Sequence, residues 1–221
     1  MGTTLPLGGG RSPLALDLFT TMPQVLSVAQ QDEFLEDTVQ PTLDNFSMAR
    51  HLVDLLIAYK AANFPLPTAT VLLRGQGPPA DIPGTNCGFF AIPVIQMAIH
   101  DCRRSLEFFG LTCDRKTNRL RAINHRQRQA DDLGIEHFGL AWVTPSQFIG
   151  AASTVISGQV EPIVVQVQKH ANKRLAHSTT LKSTVTLQAV RDMSIAMIEI
   201  HMRLIFEALG RPRPSINPSS T

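Results

Sequence analysis

The sequence contains few aromatic residues and few cysteines. Aromatic side chains make up 6% of the 221 residues, with one Trp and one Tyr. The three cysteines, Cys87, Cys102 and Cys113, are odd in number and lack the C-x-x-C spacing that zinc sites and redox pairs usually show. We therefore expect no metal and no other cofactor. A reducing intracellular compartment is the simplest environment for such a chain.

Long apolar runs are also missing. No stretch reaches the roughly 18 apolar residues that a transmembrane helix requires. The N-terminal segment MGTTLPLGGGRSP lacks the basic region and the apolar region of a signal peptide. We expect a soluble, intracellular protein that does not contact a membrane.

The sequence has no complete catalytic motif. The segments GQGPP and PGTNCG lack the Gly-Lys-Ser/Thr ending of a phosphate-binding loop. Cys102 is followed by Arg103 and Arg104, but no partner base is evident for it. Two polar groups resemble parts of an enzyme site: His51 with Asp54, and Asp131 and Asp132 with Glu136. A surface pair and a charge-balancing cluster explain them more simply, so we predict that the protein is not an enzyme.

Aliphatic residues provide most of the apolar content. The hydrophobic fraction is 43% and the mean hydropathy is +0.04, which is enough for a globular core. These residues recur at helical spacing far more often than they alternate. The sequence predicts an all-α fold: a bundle of about six to seven helices with extended N- and C-terminal arms and a long Pro/Gly-rich loop.

Proline and glycine divide the chain. Residues 1–23 are predicted to form an extended arm, residues 24–210 the helical core, and residues 211–221 an extended tail. The long loop 64–87 is a possible subdomain boundary, with one short strand expected at 69–73.

The predicted helices follow from caps and apolar periodicity. They span residues 24–39, 42–63, 89–109, 117–133, 144–158, 161–177 and 181–209. Pro41 is expected to close the first helix and Gly110 to stop the third. Thr144 and Gln147 are spaced as a capping box. The last helix is apolar on two sides, which indicates that it is central in its domain or shared between subunits.

One basic segment stands out. Residues 111–130 contain six cations and one acid, a net charge of +5, whereas the whole chain carries +2. The cations are Arg115, Lys116, Arg119, Arg121, Arg126 and Arg128. A second basic face is predicted from Lys169, Lys173 and Arg174. Such residues either bind an anionic partner, with nucleic acid the leading candidate, or form a solvated surface without further function.

Charge is also unequal between the two ends of the chain. Residues 1–60 contain seven acids and three bases, whereas residues 161–221 contain eight bases and four acids. The opposite charges could pair within one molecule, or they could join successive copies head to tail. Head-to-tail contacts that do not close produce filaments.

Together these features lead to a functional hypothesis. We expect a coat protein or viral nucleocapsid protein that binds single-stranded RNA through its phosphates, without sequence readout, and forms a helical assembly. In that case it would also occur in the virion. Self-association would use the terminal arms and the C-terminal helix, and base stacking would have to come from Phe138, Trp142 or Phe148. The alternative is a helical, oligomeric regulatory protein that binds an acidic protein partner.

Overall fold

Helices account for most of the chain, as the aliphatic spacing predicts. The computed structural model describes residues 24–63, 68–73, 80–124, 132–156, 158–172 and 185–216, with the backbone alone at residues 68–90. The first two helices in these ranges, α1 (Val28–Phe34) and α2 (Gln40–Ala61), are joined by a π turn (Leu35–Val39). The helices that follow are α3 (Cys87–Phe108), α4 (Pro145–Ala152), α5 (Val160–His170) and α6 (Leu187–His201). A second π turn (Met202–Glu207) extends α6. None of them combines the length and the apolar character that crossing a bilayer requires.

Five continuous helices occur in the described ranges, fewer than the six to seven expected. Two differences explain the lower number. Residues 28–61 form one helix where two were predicted, and the described part of the segment 117–133 contains a β-strand and no α-helix. The predicted arm at residues 1–23 lies outside the described residues.

The first helix continues through Pro41, where the sequence predicted a break. A proline has no N–H, and its ring crowds the carbonyl four residues earlier in a regular helix. Here the preceding turn is π-helical, and the N–H of Gln40 bonds to the carbonyl of Leu35, five residues back. This wider turn places the proline at the start of α2 without ending the helix. The prediction that Pro41 closes the helix was therefore wrong.

α6 lies at the centre of the fold. Thr186 caps it by accepting the N–H of Ala189 at 3.1 Å. Helices α2, α3, α4 and α5 all pack against it. Its buried residues are Ala189, Val190, Met193, Ser194, Ala196, Met197, Ile200 and His201. The prediction of a helix central in its domain is confirmed.

Two of the predicted helix boundaries are confirmed by their geometry. Gly110 follows α3 with a φ of +74°, a conformation that favours glycine. Thr144 accepts the N–H of Gln147 at 3.2 Å, and the Gln147 side chain accepts the N–H of Thr144 at 2.9 Å. This capping box begins α4, which ends at Ala152 and not near Gly158 as expected. Pro93 lies inside α3, because that helix begins earlier than the sequence predicted.

Two short antiparallel sheets connect the helices. β1 (Thr68–Leu73) confirms the strand predicted at residues 69–73, and its partner β2 (Ala80–Asn86) was not predicted. β3 (Leu111–Cys113) and β4 (Leu120–Ala122) form a hairpin after α3. The all-α prediction therefore describes the core but not these two connections.

The described part of the C-terminal tail packs against the rest of its own chain. Residues 211–216 form neither helix nor strand. Arg211 pairs with Asp32 at 2.6 Å, and Arg213 donates to Glu199 at 3.1 Å. Ile216 packs against the hydrophobic core. In the described residues the opposite charges of the two chain ends thus meet within one molecule.

A polar pair is buried between α3 and α6. The Ser105 hydroxyl lies 3.2 Å from Nε2 of His201, and Nδ1 of His201 lies 2.7 Å from the carbonyl oxygen of Met197. The carbonyl can only accept, so Nδ1 carries the proton and Nε2 accepts from Ser105. Burial lowers the pKa of His201 to about 4, which keeps the ring neutral at pH 7.

The buried histidine predicts a specific dependence of stability on pH. In the unfolded chain the pKa of His201 is near 6.5, so protonation favours unfolding as the pH falls from about 6.5 to 4. The contribution is present above pH 6.5 and is lost towards pH 4, at a cost of about 3 kcal/mol in the free energy of unfolding. A His201→Gln variant should be less stable at pH 7 but lose less stability on acidification. Urea unfolding of both proteins between pH 7 and pH 4 measures this, and parallel pH profiles would contradict it.

Two glycine-to-alanine substitutions should have opposite effects. A Cβ at Gly110 would lie 2.8 Å from Cε3 of Trp142, and its φ is positive, so Gly110→Ala should destabilise the protein by about 2 kcal/mol or more. Gly150 lies in α4 with no heavy atom within 4 Å of such a Cβ. Gly150→Ala should therefore stabilise by about 0.5–1 kcal/mol. Thermal unfolding of both variants tests the pair, and an equal effect at the two positions would contradict the described backbone.

Candidate nucleic-acid interface

The predicted basic segment begins on a β-hairpin and not on a helix. Cys113 pairs with Leu120, and Thr112 pairs with Arg121. Leu120 is buried, whereas Arg119 and Arg121 on either side of it are exposed. The strand thus anchors itself through one apolar side chain and directs its cations to the surface. The prediction of a helix over residues 117–133 was wrong in this part.

Asp114 and Asn118 shape the loop that joins the two strands. The Asp114 carboxylate accepts the N–H of Lys116 at 2.8 Å, and this bond lowers its pKa. Asp114 also donates its N–H to Arg119 O at 2.8 Å and accepts the N–H of Asn118 at 3.0 Å. Asn118 has a φ of +57°, a left-handed conformation that asparagine tolerates better than most residues. These local bonds compete with a helix and favour the turn.

The hairpin is attached to α5 by two polar contacts. Leu120 donates its backbone N–H to the Glu161 carboxylate at 2.8 Å. Lys169, two turns further along α5, donates to the side-chain oxygen of Asn118. The structure therefore brings Lys169 to the hairpin loop although the two are 51 residues apart in sequence.

The described part of the predicted site forms one surface. It consists of Arg115, Lys116, Arg119, Arg121 and Lys169, which we call the basic hairpin surface. The other four predicted site residues, Arg126, Arg128, Lys173 and Arg174, lie outside the described residues. The hairpin and helix α5 therefore bring together cations from two basic segments that are far apart in the sequence.

Ion pairing distinguishes these cations from the other arginines. Within the described ranges, every arginine outside the hairpin lies within 4.0 Å of a carboxylate oxygen; these are Arg50, Arg103, Arg104, Arg191, Arg203, Arg211 and Arg213. No such pair with a described residue involves the basic hairpin surface. Asp114, the acid nearest to it in sequence, is engaged by backbone N–H groups of the loop. The surface thus carries positive charge that the described carboxylates do not pair with.

The aromatic residues proposed for base stacking are placed unfavourably. Phe138 and Phe148 belong to the hydrophobic core, with exposed fractions of 4% and 0%. Trp142 is partly buried and lies against Gly110. Neither Phe138 nor Phe148 can provide a stacking surface, because each is covered by neighbouring side chains.

Cys102 and Asp54, two of the residues considered for catalysis, are engaged in packing or ion pairing. Burial raises the pKa of Cys102 to about 12, so its thiol stays protonated within the core. His51 is exposed, while Asp54 three residues later pairs with Arg191 on α6 at 2.5 Å. In the described part of the chain, no three His, Cys, Asp or Glu side chains come together in a way that would hold a metal ion.

Comparison of the chain with known protein families, curated proteins and solved structures found no match. The functional argument is therefore based on the geometry and charge of this chain alone.

The contact between Leu120 and Glu161 predicts the local stability of the hairpin. Glu161→Ala removes the acceptor of a buried N–H, and hydrogen bonds to charged groups contribute roughly 1.5–3 kcal/mol. We expect amide hydrogen exchange at Leu120 to become at least about tenfold faster. Glu161→Gln retains a side-chain oxygen and serves as the matched control. Unchanged protection of Leu120 in the alanine variant, measured by NMR, would contradict this anchoring role.

Proposed function

We propose that the protein is a single-stranded RNA-binding coat or nucleocapsid protein that forms a helical or filamentous assembly and binds phosphate without reading sequence. The observation that carries the proposal is the basic hairpin surface, whose cations have no ion pair with a described carboxylate. Neutralising phosphates with such side chains releases counterions from the nucleic acid, which provides affinity for any sequence.

The arrangement of the cations supports a phosphate chain as the ligand. Arg121 lies on β4 and Arg119 directly precedes that strand, so the two exposed cations flank the buried Leu120. Lys169 adds a cation from a second element at the loop. A linear polyanion can contact these cations at several points, and these contacts require no particular base.

Self-association is the second part of the proposal. The apolar stripes of α6 pack within the same chain, so assembly through this helix would have to use its remaining exposed residues. The described part of the tail, residues 211–216, is ion-paired within one molecule. We therefore assign the main assembly role to the N-terminal segment, residues 1–23, and to the remainder of the tail.

Two double variants with equal charge change test the RNA-binding surface. Arg119→Gln with Arg121→Gln removes two cations of the basic hairpin surface, whereas Arg211→Gln with Arg213→Gln removes two ion-paired cations of the tail. For labelled oligouridylate, the plot of log affinity against log salt should lose about 1.4 in slope in the hairpin variant, because each phosphate contact contributes about 0.7 for single strands. The tail variant should retain most of the slope.

The assembly is tested on the same proteins. Negative-stain electron microscopy and the 260/280 absorbance ratio of the purified wild type should show filaments or rings that contain nucleic acid, and the hairpin variant should contain less of it. Adding Arg126→Gln and Arg128→Gln should lower the salt slope further, to a total loss of about 3, with unchanged helicity by circular dichroism. Equal salt slopes in the wild type and the four-residue variant would overturn the assignment of this surface. A wild type free of nucleic acid that ignores added RNA would instead support the regulatory alternative.

A further inference from the structure

A cavity of about 680 Å³ opens beside the hairpin. The first π turn, the end of α3, the end of α6 with the second π turn, and the chain that follows β4 enclose it. π turns within helices often occur at functional sites. The π turn between α1 and α2 contributes Thr38 to this cavity, and the π turn after α6 contributes Ile205. Its volume is typical of a pocket for a small ligand.

The chain that follows β4 connects the basic hairpin surface to the cavity. Ile123 follows β4, lines the cavity and donates its N–H to the carbonyl of Gly110 at 2.8 Å. It lies two residues after Arg121, which itself lies two residues after Arg119. At about 3.3 Å per residue in an extended chain, about 7 Å separates Arg121 from the cavity wall at Ile123. A strand of RNA whose phosphates contact the hairpin therefore passes the cavity at the distance of about one nucleotide.

One wall of the cavity is aromatic. Phe34 of α1 and Phe108 of α3 both line it, and their rings stack with centroids 5.7 Å apart at an interplanar angle of 15°. Phe138 contacts both rings edge-on, with centroid distances of 5.4 and 5.8 Å. These contacts fix the two rings in place before a ligand arrives. Phe34 and Phe108 thus form a preorganised aromatic wall, whereas the sequence pointed to other aromatic residues for base stacking.

The remaining walls carry hydrogen-bonding groups, the ion pair of Arg103 with Glu107, the cation of Arg104 and the carboxylate of Asp132. Thr38 and Thr42 line the cavity, and the Thr42 hydroxyl donates to the Thr38 carbonyl at 2.8 Å, which leaves its lone pairs as acceptors. The buried pair of Ser105 and His201 forms part of the same lining. Arg104 also lines it; its side chain is 69% exposed, and its nearest carboxylate oxygen, on Asp101, is 3.8 Å away. This exposed and distant pair is weak and involves one guanidinium nitrogen, so Arg104 can keep it and also donate to a phosphate.

We propose that this cavity binds one nucleobase of the RNA strand that the basic hairpin surface holds. The inference rests on the proposed function and deepens it, because it adds a base contact to a phosphate contact. The base stacks against the wall formed by Phe34 and Phe108 while Arg104 contacts a neighbouring phosphate. Stacking accepts every base because every base has a π face, so the cavity strengthens binding without reading sequence.

An abasic oligonucleotide separates base binding from phosphate binding. Oligouridylate and an abasic ribose-phosphate oligomer of the same length carry the same charge but differ in their bases. We expect the abasic oligomer to bind wild-type protein on the order of tenfold more weakly, which is the size of effect that one stacked base produces. The salt slopes of the two ligands should be equal, because the phosphate contacts are the same.

A matched pair of variants locates the base. Phe108→Leu removes a ring of the cavity wall and keeps an apolar side chain, and Phe148→Leu removes a core ring that does not line the cavity. Only Phe108→Leu should abolish the preference for oligouridylate over the abasic oligomer, with both variants checked for folding by circular dichroism. If Phe108→Leu fails to fold, photocrosslinking of 4-thiouridine oligonucleotide to the wild type gives the same information. The crosslink should lie at Phe34 or Phe108.

The outcomes distinguish this inference from the proposed function. Equal affinity for both oligomers, with the hairpin variant still impaired, would overturn the base pocket and leave the RNA-binding function standing. Failure of both oligomers to bind would overturn both. A preference for oligouridylate that survives Phe108→Leu, or a crosslink far from the cavity, would show that the base binds elsewhere and would also overturn the inference.

Discussion

Burial of α6 is the constraint on which the rest of the structure depends. Its buried residues form one broad face of the helix, and four other helices pack against it. Two polar side chains are enclosed in the process. Ser194 satisfies itself by donating to the carbonyl of Val190 at 2.9 Å, and His201 is satisfied by Ser105 and Met197. Since a buried polar group without a partner is costly, the bond between Ser105 and His201 also fixes the position of α3 relative to α6.

This arrangement determines where charge remains at the surface. Helices that pack around α6 present their polar faces outward, and the described arginines on and near them pair with carboxylates on the same or a neighbouring element, as Arg191 of α6 does with Asp54 of α2. The hairpin is inserted between α3 and α4 and contributes little to the core beyond Leu111 and Leu120. The packing of the described helices therefore places no described carboxylate within ion-pair distance of its cations. This concentration of positive charge, which the described carboxylates do not pair with, is the reason that we propose an anionic partner for the hairpin.

The sequence predicted what depends on local chemistry and missed what depends on tertiary contacts. The strand at 69–73, the capping box at Thr144 and the stop at Gly110 follow from turn and cap residues, and all were predicted. The passage of the helix through Pro41 was not predicted, because a π turn is not apparent from residue types. The basic residues were recognised, but the helix predicted over residues 117–133 was wrong in its described part, where Asp114 and Asn118 mark a turn. The contacts of Glu161 and Lys169 with the hairpin join positions 41 and 51 residues apart, and no local pattern predicts such pairings.

The change from helix to hairpin alters what the basic residues can bind. On a helix Arg119 and Arg121 would be separated by about 200° around the axis and would face nearly opposite directions. On the hairpin both are exposed and flank the buried Leu120. Ile123, two residues after Arg121, lines the aromatic-walled cavity. Two cations close to a pocket suit a nucleic acid strand whose phosphates contact the cations and whose base enters the pocket. Cations spread around a helix would suit only a polyanion that binds without a defined path. This local conformation, more than the charge itself, is the reason that we propose a nucleic acid strand as the ligand and not an acidic protein surface.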